Sequence, residues 1–291
     1  MGLSVPSFGV GAARDRLGAM IFERVAGSEG VKRRDRIHYA SGERWFAADR
    51  PIRRVHADAS MFVGGLRALL LQSLHPLAMA GVADHSDYKG DPWGRLQRTS
   101  CFLAVTSFGT TADAERAVAS VRSIHERVTG TTTDGRPYRA NDPHLLRWVH
   151  VAEVDSFLNA YQRFSGSPLD RVGRDGYVAD TAKVARALGV ADAPVDEAEL
   201  RDQLAAFRPE LESTPEARDA ARYLLLRPPV PLLARPPVAV LQAAAVALLP
   251  AWARWPLRLP FTPFVEATVV QASGRTLVRT LGWVMGPGAA A

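Results

Sequence analysis

One cysteine, Cys101, occurs in the 291 residues. A single thiol excludes an internal disulfide and any cysteine-rich zinc or iron–sulfur centre. Its neighbours Phe102, Leu103 and Val105 are apolar, which predicts an inert buried thiol and not a nucleophile. Lysine is almost as scarce: only Lys32, Lys89 and Lys183 stand among the 36 cationic residues, and the rest are arginine. Together with abundant alanine, glycine and proline, this is the bias of a GC-rich coding sequence, and it accounts for the net charge of +6. The arginines are scattered, with one short knot at Lys32, Arg33, Arg34 and Arg36. No continuous basic stripe interleaves with aromatics, so nucleic acid is not an expected partner.

Long apolar runs are missing too. Arg14, Asp15 and Arg16 interrupt the first twenty residues, and no signal peptide is readable there. The longest uncharged stretch of the C-terminal part, Pro236 to Ala253, spans 18 residues. Prolines near both ends leave Val238 to Leu249 as helix, short of the roughly 20 residues a bilayer crossing needs. A core helix is the expectation. Trp252, Arg254, Trp255 and Arg258 follow directly and would also suit weak contact with a membrane surface. The expected location is the cytoplasm, with peripheral attachment to a membrane as the variant reading.

Several catalytic signatures are absent. There is no Gly-x-Ser-x-Gly elbow, no phosphate-binding Gly-x-x-x-x-Gly-Lys loop and no His-Glu-x-x-His zinc helix. Glu-x-x-His pairs, which a di-iron carboxylate bundle requires, do not occur either.

What is present is helical periodicity, and the apolar fraction of 47% is ample for a core. Helices are predicted over Val10–Val25, from Asp58 or Ser60 to Leu74, over Arg95–Ser107, from a Thr111 cap towards Gly130, and from the Asp142-Pro143 start to Phe164. Others are expected over 169–188, 196–207, 215–226, 238–249 and 263–283. His75-Pro76 ends or kinks the second of these, because proline disfavours helix at the residue before it. No segment alternates well enough to claim a sheet. The fold class is all-α, a multi-helix single domain over residues 1–291.

Three constellations could carry chemistry. Ala114, Val118, Val121, His125 and Val128 recur at steps of four and three, one stripe on a helix. His125 is therefore expected to face the interior, where an imidazole needs a partner: a metal or haem iron, or a backbone carbonyl. His150 and Glu153 stand one turn apart on the helix opened by Asp142, as half of a metal site, a proton relay or a buried hydrogen-bonded pair. Arg95, Arg98 and Thr99 share one face of the helix before Gly109. Two guanidiniums and a hydroxyl suit a pair of carboxylates or a bound oxygen species, or else a solvated surface.

The run Leu71-Gln72-Ser73-Leu74-His75-Pro76, followed by Ala80-Gly81-Val82, His85-Ser86, Asp91-Pro92, Gly94-Arg95-Leu96 and Arg98-Thr99, resembles the DUF2236 family. Phe108-Gly109, His125, the Gly130 loop, Tyr138-Arg139-Ala140, Asp142-Pro143 and Trp148-Val149-His150 extend the resemblance across about residues 58 to 165. This family is also called the MpaB-type or rubber-oxygenase catalytic domain and includes latex clearing protein. The resemblance implies a globin-like helical core around haem b, with His125 as the iron ligand. It places Arg95, Thr99 and His150 with His125 in the cofactor-binding set, and Arg98 and Thr99 in the catalytic one. Arg98 stands where rubber-cleaving members have a lysine; unlike lysine it stays protonated and cannot ligate iron. No acidic residue lies between Gln72 and Val82, where those members keep a catalytic acid, which speaks against polyisoprene cleavage. The implied function is a haem-dependent oxygenase or oxidoreductase using dioxygen or peroxide on an apolar, lipid- or terpenoid-like molecule. The alternative is a haem-binding protein for storage, transfer or sensing. Leu66, Leu70, Phe102 and Phe108 would line a substrate channel or simply belong to the core.

Overall fold

The computed structural model describes residues 8–286, so the single-domain expectation for 1–291 extends at both ends beyond the described residues. Helix starts follow cap chemistry closely. Asp91 accepts a hydrogen bond from the Gly94 amide and Pro92 occupies the first turn of α6 (Pro92–Phe108). The same device opens α8 (Pro143–Phe164), where Asp142 caps His144, and α11 (Pro215–Leu226), where Thr214 caps Ala217. Proline has no N–H to lose at a position where that donor would be unpaired anyway. In α7 (Thr111–Arg127) the cap is Thr110, one residue earlier than expected: its hydroxyl accepts from Asp113. Asp170 opens α9 (Arg171–Leu188), and Gly189, at φ +113°, closes it in the left-handed conformation that glycine adopts without strain.

The chain begins with α1 (Phe8–Ala26), α2 (Gly30–Tyr39) and α3 (Pro51–His56). Next, α4 (Met61–Gln72) and α5 (Pro76–His85) meet at 108°. His75 is extended there and Pro76 starts α5, so the dipeptide breaks the rod as anticipated. After α9 come α10 (Glu197–Ala206), α12 (Arg235–Leu248), the short α13 (Ala251–Arg254) and α14 (Pro263–Val265), and α15 (Gln271–Met285). A π-helical segment, Glu266–Val270, separates the last two, so the long final helix expected over 263–283 is not one regular rod.

The principal core is built around α8. Trp148, Val151, Ala152, Phe157, Leu158 and Tyr161 are buried on it, and α4 lies against it along much of its length. Each large apolar side chain taken fully from water contributes on the order of 1.5–3 kcal/mol. The close approach requires Gly64, because a Cβ there would meet Phe157 Cδ1 at 2.7 Å. Arg67, itself 3% exposed, fastens the same crossing. It donates to Asp155 Oδ2 at 2.6 Å, to Ser156 Oγ at 2.6 Å and to the Leu248 carbonyl at 3.0 Å. Buried guanidinium is tolerable only when its donors are satisfied in this way.

Two further expectations are corrected. The Thr/Gly-rich segment after α7 is not plain loop: β1 (Thr129–Thr131) pairs antiparallel with β2 (Pro137–Arg139), Gly130 opposite Tyr138. Three residues per strand are too few to show an alternating pattern. The described residues are otherwise predominantly helical. Arg254 is also not a surface residue but 4% exposed, donating to both carboxylate oxygens of Glu266 at 2.8 Å and to the Leu249 carbonyl at 2.8 Å. Trp255 is exposed and Trp252 packs partly against the core. The segment 238–248 lies in α12, which Leu249 closes in extended conformation, and Ala244, Ala245 and Val246 are buried, as a core helix should be. Among the described residues no single helix is long and apolar enough to cross a membrane.

Candidate functional site

Helices α6 and α7 pack on each other; α6 also packs on α1, α2 and α3, and α7 on α9. Helix α8 packs on α4, α9, α10 and α15 and makes no extensive contact with α6 or α7. The α7 stripe reflects this. Ala114 and Val118 are buried, whereas Val121, His125 and Val128 are half-buried. His125 is thus less enclosed than the stripe alone suggests. Burial lowers its pKa, which keeps the imidazole neutral, and it has no hydrogen-bond partner among the described residues.

On α8, His150 and Glu153 are enclosed deeply enough for desolvation to govern their titration, yet both keep some accessible surface. The His150 pKa is pushed down to about 4, and its Nε2 is buried without a partner. Burial pushes the Glu153 carboxyl up to about 7, so it titrates within the neutral range. No hydrogen bond joins the two, which removes the reading of a satisfied buried pair.

The arginine–threonine array is divided. Arg95 is half-buried, its guanidinium donates to Ser86 Oγ, and burial followed by Arg98 lowers its pKa. Arg98 is exposed and turned to Asp91 Oδ2, 3.2 Å away. Thr99 is exposed and makes no side-chain hydrogen bond. Leu70 and Phe108 are enclosed in the core, while Leu66 and Phe102 are half-buried. Cys101 is half-buried and free. A groove of about 430 Å³ between α7 and α9 is lined by Trp45, Val118, Arg122 and Glu126 among others, and includes neither His125 nor Arg95 or Arg98.

The sequence profile for the catalytic domain of ER-bound oxygenase mpaB/B′ and rubber oxygenase matches residues 53–283. That stretch is most of the chain and contains every residue of the site. The chain belongs to this family. Two curated relatives, the uncharacterized proteins Mb2261 of Mycobacterium bovis and Rv2237 of Mycobacterium tuberculosis, are each 28% identical over 99 residues, covering 34% of this chain and 38% of theirs. The match therefore spans well under half the length of these relatives. No solved structure gives a significant match.

As a member of an oxygenase family, the chain carries more around its site than the sequence reading found. His56 of α3 places Nδ1 2.7 Å from Ser107 Oγ on α6 and Nε2 3.2 Å from the Tyr177 hydroxyl on α9. Burial holds the His56 pKa down at about 3, so the ring is neutral and its two nitrogens divide donor and acceptor roles. The Tyr177 phenol is raised well above its ordinary value by burial, then by the charges of Glu153 and Asp180. The line Ser107–His56–Tyr177 thus leads from α6 to a phenol that feels the charge of Glu153 on α8. No sequence signal flagged it, since the participants are 51 and 121 residues apart. Other family motifs are scaffolding: the Tyr138 hydroxyl donates to Asp84 Oδ2 at 2.6 Å, and Gly130 leaves room for that phenol. A further cluster that the sequence reading missed gathers His75, His144 and Glu210.

Proposed function

We propose that the chain is a haem b-dependent oxygenase acting on a small or medium-sized apolar molecule, and that His125 is the residue that would hold its iron. The observation that carries this reading is the unpartnered, neutral imidazole of His125, on the part of the α7 stripe that close packing leaves open. Iron takes neutral imidazole nitrogen, and a half-buried histidine with no bond to protein is the donor such a group needs. The orphaned Nε2 of His150 and the lack of extensive packing between α8 and the α6–α7 pair fit the same group. Haem, when bound, supplies the oxidising power with dioxygen or peroxide.

The chain's own residues do the rest. Arg95, half-buried and permanently charged, would bind a carboxylate of the cofactor in place of or beside Ser86. Glu153, titrating near neutrality, can give a proton to an oxygen and take it back through neighbouring groups. The neutral His150 can accept a hydrogen bond at Nε2. Arg98 and Thr99 can donate hydrogen bonds to a polar atom of the substrate or oxidant, Arg98 once it leaves Asp91. Apolar flanks such as Phe102 and Leu66 keep bulk water away from an apolar substrate.

The visible spectrum tests the reading. Purified or haemin-reconstituted protein should show a Soret band that is lost or strongly shifted in His125→Ala. Well-folded protein that stays colourless with haemin would refute it. Consumption of dioxygen by the reduced protein with a lipid or terpenoid mixture separates an oxygenase from a haem carrier.

A further inference from the structure

Three elements distant in sequence bring metal-ligating side chains together outside the haem reading. His75 stands at the α4–α5 bend, His144 in the first turn of α8, and Glu210 in the turn after α10. One ligand atom from each lies within 4.8 Å of the other two. His144 Nε2 is 2.7 Å from Glu210 Oε2, and His75 Nε2 is 3.6 Å from the same oxygen. His75 is 3% exposed, and at 3.6 Å the carboxylate is beyond hydrogen-bond reach, so both of its ring nitrogens are buried without a partner. A buried imidazole with neither nitrogen satisfied carries a desolvation penalty that the packing around it, Trp148 and Phe207, does nothing to relieve.

We propose that His75, His144 and Glu210 form a binding site for a divalent transition ion of the zinc class. Zinc takes imidazole nitrogen and carboxylate oxygen at about 2.0–2.2 Å, which sets tetrahedral ligand atoms about 3.4 Å apart. The His75–Glu210 separation already meets that spacing, and the His144–Glu210 pair has to open by well under 1 Å. His144 and Glu210 keep 41% and 43% of their side-chain surface, which gives an ion a way in and leaves a coordination position for water. One adjustment is required. Arg147 donates to His144 Nδ1 at 3.2 Å, which fixes the proton on Nε2. Metal on Nε2 moves that proton to Nδ1, and Arg147 must swing towards Asp192, 3.9 Å away. The ion would tie the α4–α5 bend, α8 and the turn after α10 into one unit.

Zinc chloride titrated into the chelator-stripped protein tests the site, by calorimetry and by thermal melting. The wild type should bind one zinc per chain with a Kd in the micromolar range or below, and its Tm should rise by roughly 5 °C. Glu210→Gln, at a solvent-facing position that should not disturb folding, and His144→Ala should each weaken binding at least about tenfold. His125→Ala should bind zinc as the wild type does, so this site and the haem reading fail or succeed separately. Absence of one-to-one binding in the wild type, or equal affinity in Glu210→Gln and His144→Ala, would overturn the proposal.

Discussion

The hydroxyl of Tyr177 lies 3.2 Å from Nε2 of His56, and the other nitrogen of that ring lies 2.7 Å from Ser107. One imidazole thereby joins α3, α6 and α9 beside the carboxyl of Glu153. Tyr177→Phe removes one hydrogen bond and orphans a buried ring nitrogen. The expected loss is about 1–2 kcal/mol, read as a lower midpoint in urea unfolding with unchanged slope. A midpoint equal to wild type would mean that the bond contributes nothing.

Glu153 gives a pH signature whose sign is fixed. Its pKa rises from 4.5 in the unfolded chain to about 7 when folded. Its favourable share of stability is complete below pH 4.5 and is lost as pH climbs through 7, because only the unfolded state ionises freely in between. Glu153→Gln should therefore be stabilised relative to wild type increasingly from pH 4.5 to 7, with a ceiling of about 3 kcal/mol before water reaching the carboxyl reduces it. Thermal melts of both proteins at pH 5 and pH 8 check this; a gap that is the same at both refutes it.

His56 and His150 act at the acid end. Their pKa values fall to about 3 and about 4 in the folded chain, against 6.5 unfolded. Stability should decline as pH falls below 6.5, by about 1.4 kcal/mol per pH unit for each ring until its folded pKa is reached. Urea midpoints between pH 7 and pH 4 measure the slope, and His150→Gln should reduce it.

Gly64→Ala should destabilise the α4–α8 crossing. The new methyl group meets Phe157 Cδ1 at 2.7 Å and the Ser156 carbonyl oxygen at 3.2 Å. Overpacking of this kind costs about 1–3 kcal/mol, and Gly65→Ala next to it, whose nearest neighbour is 3.9 Å away, is the control.

The two arginines of α6 should separate experimentally. Arg95→Ala is expected to lower haem content on purification, since the half-buried guanidinium is the one placed to bind a carboxylate. Arg98→Ala, which frees only an exposed pair with Asp91, should leave haem content unchanged and show its effect in turnover. Equal haem loss in both would remove the distinction.

While α2, α3 and α5 went unread and the α7 cap fell one residue early, the sequence by itself determined most of the longer helices, the aspartate–proline starts of α6 and α8, and the place of His125 on an apolar stripe. These are local matters: a side-chain oxygen reaching an amide three residues away, a proline at a first turn, a period of 3.6. It also gave the family, through short motifs in a fixed order. Only the tertiary structure decided which stripes were packed shut. His125 is half-open, on a helix that packs on α6 and α9 while α8 packs chiefly on α4. Arg254, legible as a surface cation, is buried because Glu266 and two carbonyls come to meet it from later in the chain and from α12. His56 with Tyr177, and His75 with His144 and Glu210, are invisible in one dimension. Their contacts join positions tens of residues apart, and no periodicity links residues that only packing brings together.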